Sequence, residues 1–225
     1  ELVGEPEPIT PPVKFFDLTL PDFDQQPYWM PSAWDKKTAA AGIETDADGN
    51  ILVCDLVNGR IVEISPTGKL LGTTKVPWPD KIMVSRKTGD LYVISRKVSR
   101  GHLPPATLYK IAGRGDSAKI VAQLPLTGTV GGAYTLDESG KTPVIWLAGQ
   151  ATREKDSTIL ARVEDLGKAL IVTRDDFLNR DKNAITFVGY MDVDRDAELV
   201  YVTRSGGTVW RFNGETGKGG ALEIK

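Results

Sequence analysis

One order of strands and turns recurs along the chain, and no other feature restricts its possible folds as strongly. Four segments each read as an apolar strand, a tight turn, a β-rich strand, a loop, an alternating strand, a second turn and a last strand. The second strands are ILVCD from Ile51, LYVIS from Leu91, VIWLA from Val144 and LVYVT from Leu199. They are nearly continuous in apolar residues, as strands packed on both faces should be. The third strands are RIVEI from Arg60, TLYKI from Thr107, TILARV from Thr158 and TVWRF from Thr208. These alternate apolar with polar residues, which suits one buried and one wetter face. The first-to-second turns recur as DADGN, RKTGD, DESGKTP and DRDAE, the third-to-fourth turns as SPTGK, GRGDSA, EDLGK and NGETGK.

A unit of about 40 to 55 residues with four antiparallel strands is the pattern of a β-propeller blade. The expected fold is therefore all-β, a β-propeller of four-stranded antiparallel blades with four visible. The ring is incomplete, closed by an N-terminal strand, or completed by a partner. VKFFDLTL, Val13 to Leu20, is the candidate for that extra strand. Residues 1–12 read as a Pro/Glu-rich linker and residues 13–225 as the propeller domain. ELVGEPEPITPP carries no initial Met and no visible signal peptide, so it reads as a processed end or as a linker from a leader, an anchor or a preceding domain. A turn or two of helix is expected only within TRDDFLNRDKN.

Composition removes several functional classes. The 28 basic and 30 acidic residues leave a net charge of −2, which gives no basic footprint for nucleic acid despite the local string SRKVSR, Ser95 to Arg100. No apolar run approaches the roughly 20 residues that span a bilayer. Cys54 is the only cysteine, which excludes an intramolecular disulfide and a cysteine-based metal site. His102 is the only histidine, too few for a zinc centre, and it stands in a loop with no nucleophile elbow anywhere in the chain.

GIETDADGNILVCDLVNGRIVEISPTGKLLG, Gly42 to Gly72, resembles an NHL repeat: an apolar strand, Asp-x-x-Gly-Asn, a strand ending in Cys-Asp, then Asn-x-Arg-Ile and Pro-x-Gly-Lys. The three later units keep the strand order and lose the Asp and the Asn-x-Arg. The resemblance implies a β-propeller over roughly Thr38 to Lys225, usually of six blades. It also implies that Asp55, Asn58 and Arg60 form a structural corner of the repeat rather than an active site. The turn chemistry of Asn58-Gly59 leads to the same reading. Enzymes with similar repeats include amidating lyases, gluconolactonases and strictosidine synthase-like proteins. The lactonases place a Glu, two Asn and an Asp around the channel, for which Glu44, Asp55, Asn58, Asn179 and Asn183 are present without a distinguishing spacing.

Asp46 and Asp48, and Asp192, Asp194 and Asp196, suggest calcium loops. Counted as EF-hand loops they fail, because the sixth and twelfth positions fall on Ile51 and Val57, and on Ala197 and Thr203. They read as hairpin turns. No cofactor or metal site is predicted, and calcium stays open.

Connections alternate between the two ends of an antiparallel meander, so the first-to-second and third-to-fourth turns share one face. The opposite face carries the long insertions, where binding residues tend to sit. The candidate partner-binding residues there are Trp29, Trp34, Arg96, Arg100, His102, Arg153, Arg174, Asp176 and Arg180. Aromatic residues beside arginine suit the centre of a protein interface. The leading expectation is a non-catalytic protein-interaction or structural subunit of a larger assembly, with a protein partner, no nucleic acid and a periplasmic or extracellular location. The alternative is a propeller enzyme of lactonase or lyase type with a channel metal site.

Overall fold

A computed structural model describes residues 40–56, 58–96, 106–126, 129–152, 155–174, 188–194, 199–203, 208–216 and 218–222. The linker, the strand expected at Val13 to Leu20 and residues 175–183 of TRDDFLNRDKN lie outside these residues, while Thr173 and Arg174 of that segment are strand rather than helix. Among the described residues sixteen strands form four separate four-stranded antiparallel sheets, each a simple meander of consecutive strands. Blade 1 comprises β1 (Ala40–Thr45), β2 (Ile51–Asp55), β3 (Arg60–Ile64) and β4 (Leu70–Lys75). Blade 2 comprises β5 (Pro79–Val84), β6 (Leu91–Ser95), β7 (Ala106–Ala112) and β8 (Lys119–Leu126). Blade 3 comprises β9 (Thr129–Asp137), β10 (Val144–Thr152), β11 (Lys155–Asp165) and β12 (Leu170–Arg174). Blade 4 comprises β13 (Met191–Asp194), β14 (Leu199–Thr203), β15 (Val209–Asn213) and β16 (Gly219–Ala221). Among the described residues the only helical element is one 3₁₀ turn, Gly115–Ser117, and no helix is long and apolar enough to cross a membrane.

The expected strand chemistry is visible in the burial. Every residue of β6 is buried, as are Leu52 to Asp55 of β2, while β3 and β7 alternate buried with half-exposed positions. Blades 2 and 3 each send their two faces to different neighbours. Leu52, Cys54 and Ile61 of blade 1 pack on Ile82, Leu91 and Val93 of blade 2. Tyr92, Ile94 and Leu108 of blade 2 pack on Ile145, Leu147 and Val163 of blade 3, and Trp146 and Leu160 of blade 3 pack on Val200, Val202 and Phe212 of blade 4. The period of two along a strand is what lets one central strand serve two interfaces.

The first strands of the blades pack in series, β1 on β5, β5 on β9 and β9 on β13, so they are the inner strands of an arc. Among the described residues no comparable packing returns from β13 to β1. Close approach at the innermost point depends on Gly42. A Cβ there would stand 2.9 Å from the Asp80 carbonyl oxygen and 3.0 Å from the Lys81 Cα, so any larger residue would push β1 away from β5.

Candidate functional site

Three inner strands bring polar groups together near the arc's axis. Lys81 of β5 places its Nζ 5.1 Å from the centre of the Tyr134 ring of β9, a cation–π contact across two blades. Burial above all, with smaller contributions from neighbouring Cys54, Glu44 and Asp80, raises the pKa of the Tyr134 phenol, which stays protonated at neutral pH. Asp80 faces Arg96 at 3.7 Å, and both side chains are partly buried. The Arg96 backbone N–H donates to the Trp78 carbonyl at 3.0 Å, and the Ser95 hydroxyl donates to the Pro77 carbonyl at 2.5 Å. Both bonds fasten the Val76-Pro-Trp-Pro crossover between blades 1 and 2, where Trp78 holds φ at +44°. For a bulky residue that is a strained conformation.

Cys54 lies directly behind this cluster with no exposure. Burial pushes its thiol up to about 12, so it packs as a small apolar group and is no nucleophile at neutral pH. The axial set thus offers a carboxylate (Glu44), a carboxylate–guanidinium pair (Asp80–Arg96), an ammonium (Lys81) and a neutral phenol (Tyr134). Such a set can hold a polar ligand in one orientation and exchange hydrogen bonds with it. Among the described residues no group of three or more His, Cys, Asp and Glu could hold a metal ion.

Of the predicted partner-binding residues, Arg96 stands at this axial cluster, at the end of β6. Arg174 ends β12, and its side chain is not among those described. Trp29, Trp34, Arg100, His102, Arg153, Asp176 and Arg180 lie outside the described residues, as do Asn179 and Asn183. Asp55 is fully buried at the β2–β3 corner. Its two carboxylate oxygens each accept from the Asn58 side-chain amide at 2.9 Å, and one also accepts from Arg60 Nε at 2.8 Å. Gly59 supplies φ +62° between them, and its carbonyl accepts from the Val76 N–H at 2.9 Å.

In the DADGN turn, Asp46 Oδ1 accepts from the Asp48 and Asn50 backbone N–H groups at 3.0 and 2.9 Å. Asp46 Oδ2 accepts from the Asn50 side chain at 2.9 Å, so this carboxylate is committed to its own hairpin. Asp192 Oδ1 accepts from the Val193 N–H at 2.8 Å, and Asp196 lies outside the described residues.

Sequence reasoning missed a set of buried charges at the opposite, short-turn end of the blades. Asp165, at the end of β11, accepts from the Tyr92 hydroxyl at 2.5 Å and pairs with Lys110 Nζ at 2.6 Å, while Lys110 also reaches Asp90 at 3.3 Å. Beside it, Glu138 accepts from the Ser85 hydroxyl at 2.5 Å and from the Arg86 N–H at 2.9 Å, and its carbonyl accepts from Lys87 Nζ. Between blades 1 and 2, the Gly115 N–H donates to the Thr74 hydroxyl at 2.8 Å and Arg114 approaches Glu63 at 3.9 Å. The one sequence signal was a Lys at a third-strand position, Lys110, in a chain whose partners lie tens of residues away.

No family model and no curated protein matches the sequence, so the NHL resemblance has no support from that side. Solved structures do match. A gluconolactonase from Xanthomonas campestris is similar with a TM-score of 0.53 and 16% identity, over 83% of this chain and 62% of that one. A virginiamycin B lyase from Staphylococcus aureus is similar with a TM-score of 0.52 and 16% identity, over 83% and 56%. The fold is a β-propeller. A hydrazine synthase from Kuenenia stuttgartiensis is similar with a TM-score of 0.53 and 11% identity, over 86% of this chain and 53% of that one. The chain spans about half the length of the structures it matches, and at these identities the likeness concerns the propeller fold alone.

Proposed function

We propose that this four-blade arc is a non-catalytic binding module, completed into a ring by further blades and working as a subunit or domain of a larger protein assembly. The observation that carries this reading is the order of the inner strands, β1–β5–β9–β13, in which, among the described residues, no comparable contact returns from β13 to β1. In this reading the axis is open to solvent until further blades close it, whereas catalysis in a channel relies on water being excluded. The axial charges are also engaged with one another, Asp80 with Arg96 and Lys81 with Tyr134, as befits groups that orient a partner surface. Asp55, Asn58 and Arg60 act in this reading as a structural corner that sets the register of β2 on β3. The partner is a protein reached through the axial groove and the long-loop face, in an extracytoplasmic compartment.

The test is site-specific photo-cross-linking. A photoreactive residue at Ile43, which is 66% exposed on the inner strand, should form one discrete adduct with a β-propeller half or partner subunit in the native source. The same probe at Lys119, an exposed position at the start of β8, should not. Equal, diffuse labelling from both positions would overturn the reading.

The convergence of Glu44, Asp80, Lys81 and Tyr134 from three blades favours one second reading, an axial enzyme site of the lactonase or lyase type found among the similar structures. Gluconolactonase activity or lyase activity on a streptogramin B, measured with and without added divalent cations, decides it. Turnover that is lost in Glu44→Gln would replace the binding-module reading with the enzymatic one.

A further inference from the structure

On the face that blades 1, 2 and 3 turn to the next blade, the third strand sets an apolar residue and, two positions on, a charged one. The pairs are Ile61 and Glu63, Leu108 and Lys110, and Leu160 and Arg162. Directly opposite the charged residue, the second strand places Leu52, Tyr92 and Trp146. Blade 4 carries the same pattern in Val209 and Arg211, with Tyr201 opposite Arg211. Val200, Val202 and Phe212 are turned to blade 3, so the period of two along a strand turns Tyr201 and Arg211 to the far side of blade 4.

Blade 2 shows what a tyrosine and a cation in these positions do. The Tyr92 hydroxyl donates to Asp165 Oδ2 of blade 3 at 2.5 Å, and Lys110 Nζ stands 2.6 Å from the same oxygen. Glu63 of blade 1 likewise approaches Arg114 of blade 2, while Arg162 of blade 3 is engaged by Glu164 of its own strand. Tyr201 is half-exposed and Arg211 exposed, and among the described residues neither side chain has a hydrogen bond or an ion pair. The neighbouring groups define where an anion can enter. Asp192 and Asp194 occupy the inner strand β13, Asp192 directly opposite Tyr201 where blade 2 has Met83, so a carboxylate is repelled from that side. Asn213, two residues from Arg211, has its Oδ1 taken by the Glu215 and Thr216 N–H groups. On the outer side Arg211 lies opposite Gly220, where a Cβ would meet nothing within 4 Å, so the approach to the guanidinium is open.

We propose that the far face of blade 4 docks a β-sheet of a partner protein, which inserts one Asp or Glu carboxylate between the Tyr201 hydroxyl and the Arg211 guanidinium, as Asp165 stands between Tyr92 and Lys110. The occupant is a sheet because the corresponding faces of blades 1, 2 and 3 are each covered by the sheet of the next blade. The charged end of Arg211 suits a carboxylate through two parallel N–H donors. The proposal rests on the binding-module reading and adds to it the face and the chemical group by which the partner is recognised.

The probe is benzoylphenylalanine in place of Val209, which is half-exposed on the same face, in the full chain and in the native source. One discrete adduct is expected, mapping by mass spectrometry to a partner strand with an Asp or Glu within two residues of the attachment point. Arg211→Glu should lower its yield at least about tenfold, because it sets two like charges face to face. Arg211→Lys, which supplies the cation that blade 2 uses, should retain the adduct, and exchanging the mapped carboxylate for Lys should rescue Arg211→Glu. Absence of a Val209 adduct while Ile43 gives one refutes this surface and leaves the binding-module reading standing; absence from both positions refutes both. An adduct on a second copy of this chain, an adduct on a segment without a carboxylate, or a yield unchanged by Arg211→Glu also overturns the proposal.

Discussion

Asp165 is the residue whose replacement should reveal how the blades are held in register. Its side chain is 2% exposed and binds the Lys110 ammonium at 2.6 Å, the Tyr92 hydroxyl at 2.5 Å and the Gly167 N–H at 2.7 Å. Asp165→Asn keeps the shape and removes the charge, so Lys110 is left in a largely buried position with Asp90 at 3.3 Å and the Gly167 carbonyl at 3.4 Å. Breaking a buried ion pair by removing one partner costs about 3–5 kcal/mol, and the surviving Asp90 contact puts this case near 3 kcal/mol. For a chain of this size that lowers Tm by roughly 6–12 °C, measurable by calorimetry.

Lys110→Met alone leaves the Asp165 charge uncompensated. Combined with Asp165→Asn it should cost less than the sum of the single changes, by about 1–3 kcal/mol of coupling. The pH dependence supplies an independent readout. Burial acts to lower the Lys110 pKa, but Asp165 and Asp90 raise it more, and burial together with Asp165 raises that of Tyr92. Both groups therefore hold their protons longer when folded. Their stabilisation is complete below about pH 10 and falls as pH rises past the unfolded values. That alkaline loss should shrink in Asp165→Asn. A cost below about 0.5 kcal/mol, the size of an ordinary surface change, with additive single variants, would refute the argument.

Gly42→Ala should destabilise by about 1–3 kcal/mol, because the new methyl would overlap the Asp80 carbonyl at 2.9 Å; urea unfolding measures it, and a neutral effect would show that β1 can move off β5 at no cost. Arg60→Ala should cost about 1–3 kcal/mol by urea unfolding although Arg60 is 34% exposed, since it removes the only cation paired with the fully buried Asp55 among the described residues. Cys54 keeps its proton to about 12 in the folded chain and loses it near 9 when unfolded, so it adds an alkaline loss of order 4 kcal/mol between those values. Cys54→Ala should flatten that part of the pH–stability curve, and the native thiol should react with iodoacetamide far more slowly at pH 8 than the unfolded one.

The blade itself was legible in the sequence because everything that makes it is local. ILVCD and RIVEI are strands by their own patterning, Gly59 supplies the positive φ of the turn between them, and Asp55, Asn58 and Arg60 find one another within five residues. From those pieces a meander follows, and from its repetition a stack of sheets. Nothing in the same reading marked Asp165 for Tyr92 and Lys110, or Glu138 for Ser85, which lie 73 and 53 residues from Tyr92 and Ser85 respectively. The axial meeting of Glu44, Asp80, Lys81 and Tyr134 was equally invisible, because it depends on how close one sheet approaches the next, which Gly42 sets by having no side chain. The order of strands within each blade thus belongs to the sequence alone, since hydrophobic period and turn geometry act over a few residues. Which charges meet was decided by blade-on-blade packing, since only there do residues from separate repeats come within bonding distance.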